Sequence, residues 1–406
     1  MKIALVIAFS LLLFPLFAGD WPEFRGPSAQ GHAEGVKLPI DIGAKSQHLK
    51  WKIAVPGSGW SSPVIVKSRI YLTSAITKGQ GITLNALCFD STNGKQLWNT
   101  PVINVDKTPR MHRKNSQASP TPIVNGSHLY VHFGHMGTAC LDLKGKLVWK
   151  NETINYSPVH GNGGTPVLVD DKLIFSCDGA KNPFVIALNP KNGSTIWKVS
   201  RSVNAKKKFS FCTPLVLKTT DGTQILLPGS DMIGAYDAAN GKEIWRATYD
   251  GYSVVPRPVA GLGMVFFSTG FDHPKAMAVQ LGGKGDITDT HIKWILQKGA
   301  PRTPSMILDG NLLYMISDGG IASCIDAKTG KPYWSERLGG SFSASPILVD
   351  GKLYCVNETG DVFVVKAGKK FTGMLKKSLG EKSLASPAVA DAALFIRTAK
   401  HLWRFE

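Results

Sequence analysis

Short apolar runs alternate with turn residues along almost the whole chain, and the alternation has a period. In the unit TPSMILDGNLLYMISDGGIASCIDAKTGKPYW, from Thr303 to Trp334, four runs rich in Ile, Leu and Tyr are separated by clusters of Gly, Asp and Asn. That pattern predicts a four-stranded antiparallel meander. Two landmarks recur. A Ser/Thr-Pro leads each unit, at Ser62-Pro63, Thr121-Pro122, Thr165-Pro166, Thr213-Pro214, Thr303-Pro304, Ser345-Pro346 and Ser386-Pro387, with Arg257-Pro258 as the deviant. A tryptophan closes each unit, at Trp98, Trp149, Trp197, Trp245, Trp294 and Trp334, in steps of 51, 48, 48, 49 and 40 residues. The link from third to fourth strand reads DSTNGK, NPKNGS, DAANGK or DAKTGK. There Asp or Asn bonds the backbone ahead of it, and Gly supplies the left-handed residue of the hairpin.

One such sheet cannot bury both faces, so units must stack, and the stack must be capped or closed. The last unit, from Ser386 to Glu406, has only three strands, with Trp403 in the third. The missing fourth is LKWKIA, residues 49–54, which brings Trp51 as its closing tryptophan. The sequence therefore predicts an all-β, eight-bladed β-propeller over residues 49–406, made of four-stranded antiparallel blades, the last closed by an N-terminal strand. Residues 19–48 form an arm ahead of it. Trp51, Trp98, Trp149, Trp197, Trp245, Trp294, Trp334 and Trp403 are assigned to packing between blades. The seventh unit, with VVKAGKKFTGML from Val364, lacks both the Asp turn and the Trp and is expected to be the weakest blade.

The first residues change the cellular setting. Met1-Lys2, an apolar run from Ile3 to Leu13 broken only by Ser10, and a turn to polar residues at Gly19-Asp20 read as a secretory signal over residues 1–18. The stretch is short for a spanning helix, and the mature chain is expected to hold no transmembrane segment. No cysteine follows the cut, so a lipid anchor is not expected; the location is periplasmic or extracellular and the protein a monomer. Lys and Arg number 47 against 29 Asp and Glu, a net charge of +18 that the loss of Lys2 leaves at +17. Such an excess favours anionic partners, whether acidic protein, polysaccharide or a lipid surface. Nucleic acid is not expected, because the basic clusters ending at Lys208 and Lys377 lack interleaved stacking aromatics. The six cysteines form no CxxC. Cys88, Cys140 and Cys324 stand where other repeats have Ala187 and Ala235, which marks them as small buried hydrophobes. Whether Cys177 and Cys212 meet is left open.

The strings ALCFDSTNGKQLW, GAYDAANGKEIW and SCIDAKTGKPYW resemble the tryptophan-docking motif of PQQ-repeat propellers, roughly A-x-D-x-x-T-G-x-x-x-W, over nearly all of the mature chain. DWPEFRGP, residues 20–27, resembles the WPxFRGP opening of a group of exported bacterial PQQ-like propellers, which implies an extended arm packed over the ring. The PQQ-repeat family spans quinoprotein dehydrogenases and cofactor-free BamB-like assembly factors, so fold carries over and function does not. What the resemblance implies as alternatives is a small PQQ-dependent oxidoreductase using PQQ with calcium, or a BamB-like outer-membrane assembly factor. No motif here carries over the dehydrogenases' metal carboxylates, catalytic Asp or adjacent-cysteine disulfide. No catalytic residue, cofactor or metal site is therefore predicted, and the leading reading is a non-catalytic binding or scaffolding protein for a protein or anionic polymer.

In a propeller the second-to-third-strand loops and the blade-to-blade loops share one face. Here they carry His112, Arg113, His160, Asp178, Asp231, Arg257, Arg302, Asp318 and Glu358, a candidate ligand mouth. Arg257 stands out, because it replaces the hydroxyl of the Ser/Thr-Pro landmark. His132-x-x-His135 falls in a strand and its turn, and zinc is not predicted there.

Overall fold

Each apolar run becomes a strand of three to ten residues, and the Gly, Asp and Asn clusters become the hairpins between them. The computed structural model describes residues 19–201 and 205–406; the secretory segment expected over residues 1–18 lies outside them. Eight antiparallel blades form a closed ring. Blades 1 to 7 span residues 64–105, 123–151, 167–200, 215–248, 259–296, 307–337 and 347–378. Blade 8 joins Ala388–Ala390, Ala393–Arg397 and His401–Phe405 to Leu49–Ala54. Leu49–Ala54 runs antiparallel to His401–Phe405, with Lys52 opposite Trp403 and Ala54 opposite His401. The two ends of the chain thus share one sheet.

The Ser/Thr-Pro landmark has a structural purpose. The backbone N–H of Ser62 donates to Thr121 Oγ1, that of Thr121 to Thr165 Oγ1 and that of Thr165 to Thr213 Oγ1, each at 3.0 Å. The chain resumes from Arg257 to Ser305, Ser305 to Ser345 and Ser345 to Ser386, each at 2.9 Å. These bonds pass from blade to blade around the axis, and they correct one assignment. Blade 6 contributes Ser305, not Thr303; its first strand, Ile307–Asp309, starts two residues later than the proline implied. Thr303 instead donates its hydroxyl to Asp318 Oδ1 at 2.6 Å. A local turn had imitated the landmark.

The tryptophans dock each blade on the next. Nε1 of Trp98, Trp149, Trp197, Trp294 and Trp334 donates to the carbonyls of Leu143, Pro190, Ala238, Ala327 and Gly368, and Trp51 reaches Ser91 and Thr92 across the closure. The turn glycine lies under the ring. A Cβ on Gly193 would sit 2.5 Å from Trp149, and one on Gly330 2.9 Å from Trp294. The residue paired across the strand from the tryptophan is small, Cys88, Cys140, Ala187 or Cys324. Two tryptophans pack in clusters shared with neighbouring blades but make no such Nε1 bond. Trp403 is buried in the core cluster that blade 8 shares with blades 1 and 7, and its Nε1 donates to Thr398 Oγ1 within its own blade at 2.9 Å. Trp245 is fully buried in a cluster with Val265, Phe267 and Met277 of blade 5; among the described residues its Nε1 has no partner, and a short parallel strand, Gly285–Asp286, pairs beside it on blade 4. All six cysteines are buried and free, Cys177 and Cys212 included.

Residues 20–48 run across the axial end opposite the loop face. Trp21 pairs with Ile65 of blade 1, Pro22 accepts from Val124 of blade 2, and Phe24 accepts from Arg257 of blade 5. Arg25 donates to Met306 of blade 6 at 2.6 Å, and His32–Ala33 adds a parallel strand to blade 7. Tyr354 then donates to Leu38 and Pro39, and the chain enters blade 8.

Candidate functional site

The loop face does not assemble the nine candidate residues into one mouth. Arg257 is 1% exposed and belongs to the channel interior. Its Nε donates to the Pro214 carbonyl at 2.9 Å, bridging blades 4 and 5, and its guanidinium holds Phe24 and Glu23 of the arm at 2.8 Å and 3.3 Å. Its reading as a ligand residue is therefore replaced by one as the arm's anchor. Burial raises the Glu23 pKa, against the pull of Arg257, and burial together with Arg257 lowers Arg25 to about 9.

The acidic candidates are committed internally. Asp231 accepts the Gly251 N–H at 3.0 Å, and Asp318 accepts the N–H groups of Arg302 and Thr303 at 2.7 Å and 3.1 Å. Glu358 accepts Lys114 Nζ at 2.6 Å and Ser343 Oγ at 2.6 Å. Lys114 comes from the loop between blades 1 and 2, so this contact straps that loop to blade 7. Burial works to raise Glu358, but the bonds from Lys114 and Ser343 outweigh it and hold the carboxyl below its ordinary range. Asp178 is buried against Arg201, which also donates to the Leu227 carbonyl at 2.8 Å. Burial pushes the Asp178 carboxyl up to about 6, opposed by Arg201, so the pair is ionised at neutral pH. Among the described residues Asp178 Oδ1 has no hydrogen-bond partner. It borders a cleft of about 10 Å³, the room of a single water molecule, among His132, Tyr156, Asn162, Ser176 and Ser210.

What the loop face does assemble is an arc of rings. His112 meets His160 at 5.6 Å between centroids, His160 meets Phe209 at 5.2 Å, Phe209 meets Tyr252 at 5.7 Å, and Tyr252 meets Phe271 at 6.0 Å. Lys207 Nζ stands 4.0 Å over the Tyr252 ring and donates to its hydroxyl at 2.7 Å, and the Arg302 guanidinium lies 5.2 Å over Phe271. Backbone bonds stitch the loops together, His112 to His160, Ser253 to Phe209 and Phe271 to Tyr252. Arg113 is exposed beside the arc, with Met111 and Val159, and Phe271 is 49% exposed. Burial, then the neighbouring His112, holds His160 below the ordinary imidazole range. Sequence reading placed His112, Arg113, His160 and Arg302 on this face and noted the basic cluster that holds Lys207, but missed Phe209, Tyr252 and Phe271. Their signal was aromatic residues standing in connecting segments, outside the strand period.

Blade 1 has the longest strands of the ring. Its strands Arg69–Lys78 and Gly81–Asp90 have ten residues each, about twice the usual length here, and project past the other blades. Among the described residues no three His, Cys, Asp or Glu side chains gather as a metal seat. The arm, Arg25 and Arg257 occupy the opposite end of the channel.

An all-β ring of eight four-stranded blades with tryptophan docking defines a PQQ-like β-propeller. The profile of the family described as outer membrane protein assembly factor BamB matches residues 33–180, 181–308 and 293–373, and the chain belongs to that family. Tetrathionate hydrolase from Acidithiobacillus ferrooxidans is 23% identical over 350 residues, 78% of this chain and 66% of that protein. The chain thus spans about two thirds of that curated relative's length. BamB from Moraxella catarrhalis superposes with a TM-score of 0.60 at 13% identity, covering 88% of this chain and 97% of that one. A europium-containing methanol dehydrogenase gives 0.64 at 12% identity, covering 95% and 90%. At such identities the solved structures speak for the fold. Among the described residues no helix is long and apolar enough to cross a membrane.

Proposed function

We propose that this protein is an exported, non-catalytic docking propeller that holds an anionic segment of a partner protein across its loop face. The observation that carries the reading is the arc from His112 to Phe271, with Lys207 and Arg302 seated on its rings. Aromatic side chains offer large contact area at low entropic cost, and arginine is the cation most often found at binding hot spots. Lys206, Lys207 and Lys208 add charge at the same place, and long-range attraction raises the encounter rate of an acidic partner. The family profile points the same way, since it is described by an assembly factor, a protein that acts on other proteins.

Polyglutamate serves as a model partner. Binding is expected to weaken at least tenfold in the double variant Lys207→Glu, Arg302→Glu, to fall with added salt, and to survive Lys293→Glu on an outer strand. Equal losses in both variants would show charge without a site and end the proposal.

A second reading is favoured by the similarity to tetrathionate hydrolase together with the buried Asp178–Arg201 pair. It makes the protein an enzyme acting on a small anion. Sustained consumption of tetrathionate by the purified protein, lost in Asp178→Asn, would establish it. PQQ with calcium, offered with alcohols or glucose and a redox dye, tests the oxidoreductase alternative in the same series; dye reduction would replace docking as the function.

A further inference from the structure

The hydroxyls that link the blades around the axis have protons to spare. Thr121, Thr165, Thr213, Ser305, Ser345 and Ser386 each accept one N–H from the preceding blade, and among the described residues none of these six hydroxyls donates to any group. All are buried, and each stands just ahead of the innermost strand of its blade. A hydroxyl has a proton to give as well as lone pairs to receive with, so the chain of bonds is also a belt of donors without acceptors.

Two arginines meet this belt. Arg257 takes the blade 5 position in it, and Arg25 arrives from the arm, since the Met306 carbonyl that it holds follows Ser305 directly. Arg257 spends every nitrogen, Nε on Pro214, Nη1 on Phe24 and Glu23, and Nη2 on Glu23. Arg25 does not. Its Nη2 is bonded to Gln30 and Met306, while at 2% exposure its Nε and Nη1 have no partner among the described residues. The charges are unbalanced as well. Glu23 pairs with Arg257, burial raises its pKa and so weakens it as a counter-charge, and Arg25 is opposed by Arg257 with no carboxylate of its own. A buried charge with unmet N–H groups is costly, and an anion that accepts those groups removes both penalties. Arg397 is also buried without a carboxylate, but its Nη1 gives three bonds to Ser61 and Thr73 and no second cation stands against it.

We propose that the arm end of the channel binds one small inorganic anion, chloride or an ion of its size, held by Nε and Nη1 of Arg25 and by hydroxyl protons of the belt, that of Ser305 foremost. The anion ties the arm to blades 5 and 6. The site is distinct from the aromatic arc and does not depend on what the arc docks.

The test reads the site in crystals and in solution. Crystals of the purified protein soaked in sodium bromide are expected to show an anomalous peak in contact with Nε or Nη1 of Arg25. In solution, sodium chloride replaces sodium gluconate at constant ionic strength, gluconate being too bulky to enter. The melting temperature is expected to rise along a saturating curve, as for any ligand that binds the folded chain alone. Arg25→Gln, which keeps a donor for Met306, is expected to lose the saturating part. Glu23→Gln removes the competing carboxylate and is expected to reach half saturation at about tenfold lower chloride. Those opposite signs separate an anion site from a role in packing the arm. No bromide at Arg25, bromide only at Arg397 or on surface lysines, or the same chloride curve in Arg25→Gln as in the unaltered protein would overturn the proposal. Should Arg25→Gln fail to fold, an unchanged or weaker chloride response in Glu23→Gln would do so.

Discussion

Gly330 carries two constraints at once. Its φ of +72° lies in the left-handed region, and its missing Cβ leaves the space in which the Trp294 ring packs. Gly330→Ala is expected to cost about 1 to 3 kcal/mol, from the strained φ and the displaced ring together, and to lower the melting temperature accordingly. An unchanged melting temperature would contradict the docking geometry. Arg257 presents the reverse case. Its departure from the Ser/Thr-Pro pattern was visible in the sequence, but its meaning was not, because the partners Glu23 and Phe24 lie more than two hundred residues away. Arg257→Ala leaves buried carbonyls and Glu23 without their donor. It is expected to destabilise the fold by about 2 to 3 kcal/mol and to expose residues 20–31 to limited proteolysis. An arm that stayed resistant would return Arg257 to the list of ligand residues.

At the scale of elements, the repeat made strands and blade boundaries readable, since a period-two pattern and a turn every few residues leave little choice of architecture. It misplaced the start of blade 6 because Thr303-Pro304 is chemically the same signal as the landmark and only the inter-blade bond to Ser305 tells them apart. The arc was unreadable for a different reason. It gathers single residues from several loops, each aperiodic, and only the ring brings them within 6.0 Å. The strap from Lys114 to Glu358 belongs to the same class and has a pH signature. Glu358 titrates in the folded protein below its ordinary value of 4.5, so the strap's contribution is complete above that value and is lost as the pH falls through the lower folded one. Hydrogen exchange over residues 106–118 should therefore accelerate, beyond its intrinsic pH dependence, below about pH 4.5 in the native protein but not in Glu358→Gln. Parallel behaviour of the two would remove the strap.

At the scale of the molecule, closure explains how a chain of 406 residues makes one rigid face from eight small sheets. Leu49–Ala54 and His401–Phe405 consume the two edges that an open stack would leave unpaired, and Trp51 docks blade 8 on blade 1. The ring fixes two ends of different character. One carries the aromatic arc with lysines and arginines; the other is crossed by the arm. Blade 7, which has neither the Asp turn nor a docking tryptophan, is reinforced by the arm's strand His32–Ala33. The account rests most on the loop face being the docking surface. A photo-crosslinking residue placed at Phe271, and in parallel at Ile295 on the outer strand of the same blade, tests it inside the cell that makes the protein. One discrete protein adduct from position 271, abolished by Lys207→Glu and absent from position 295, is the predicted result; adducts of equal yield from both positions, or none from 271, would contradict it.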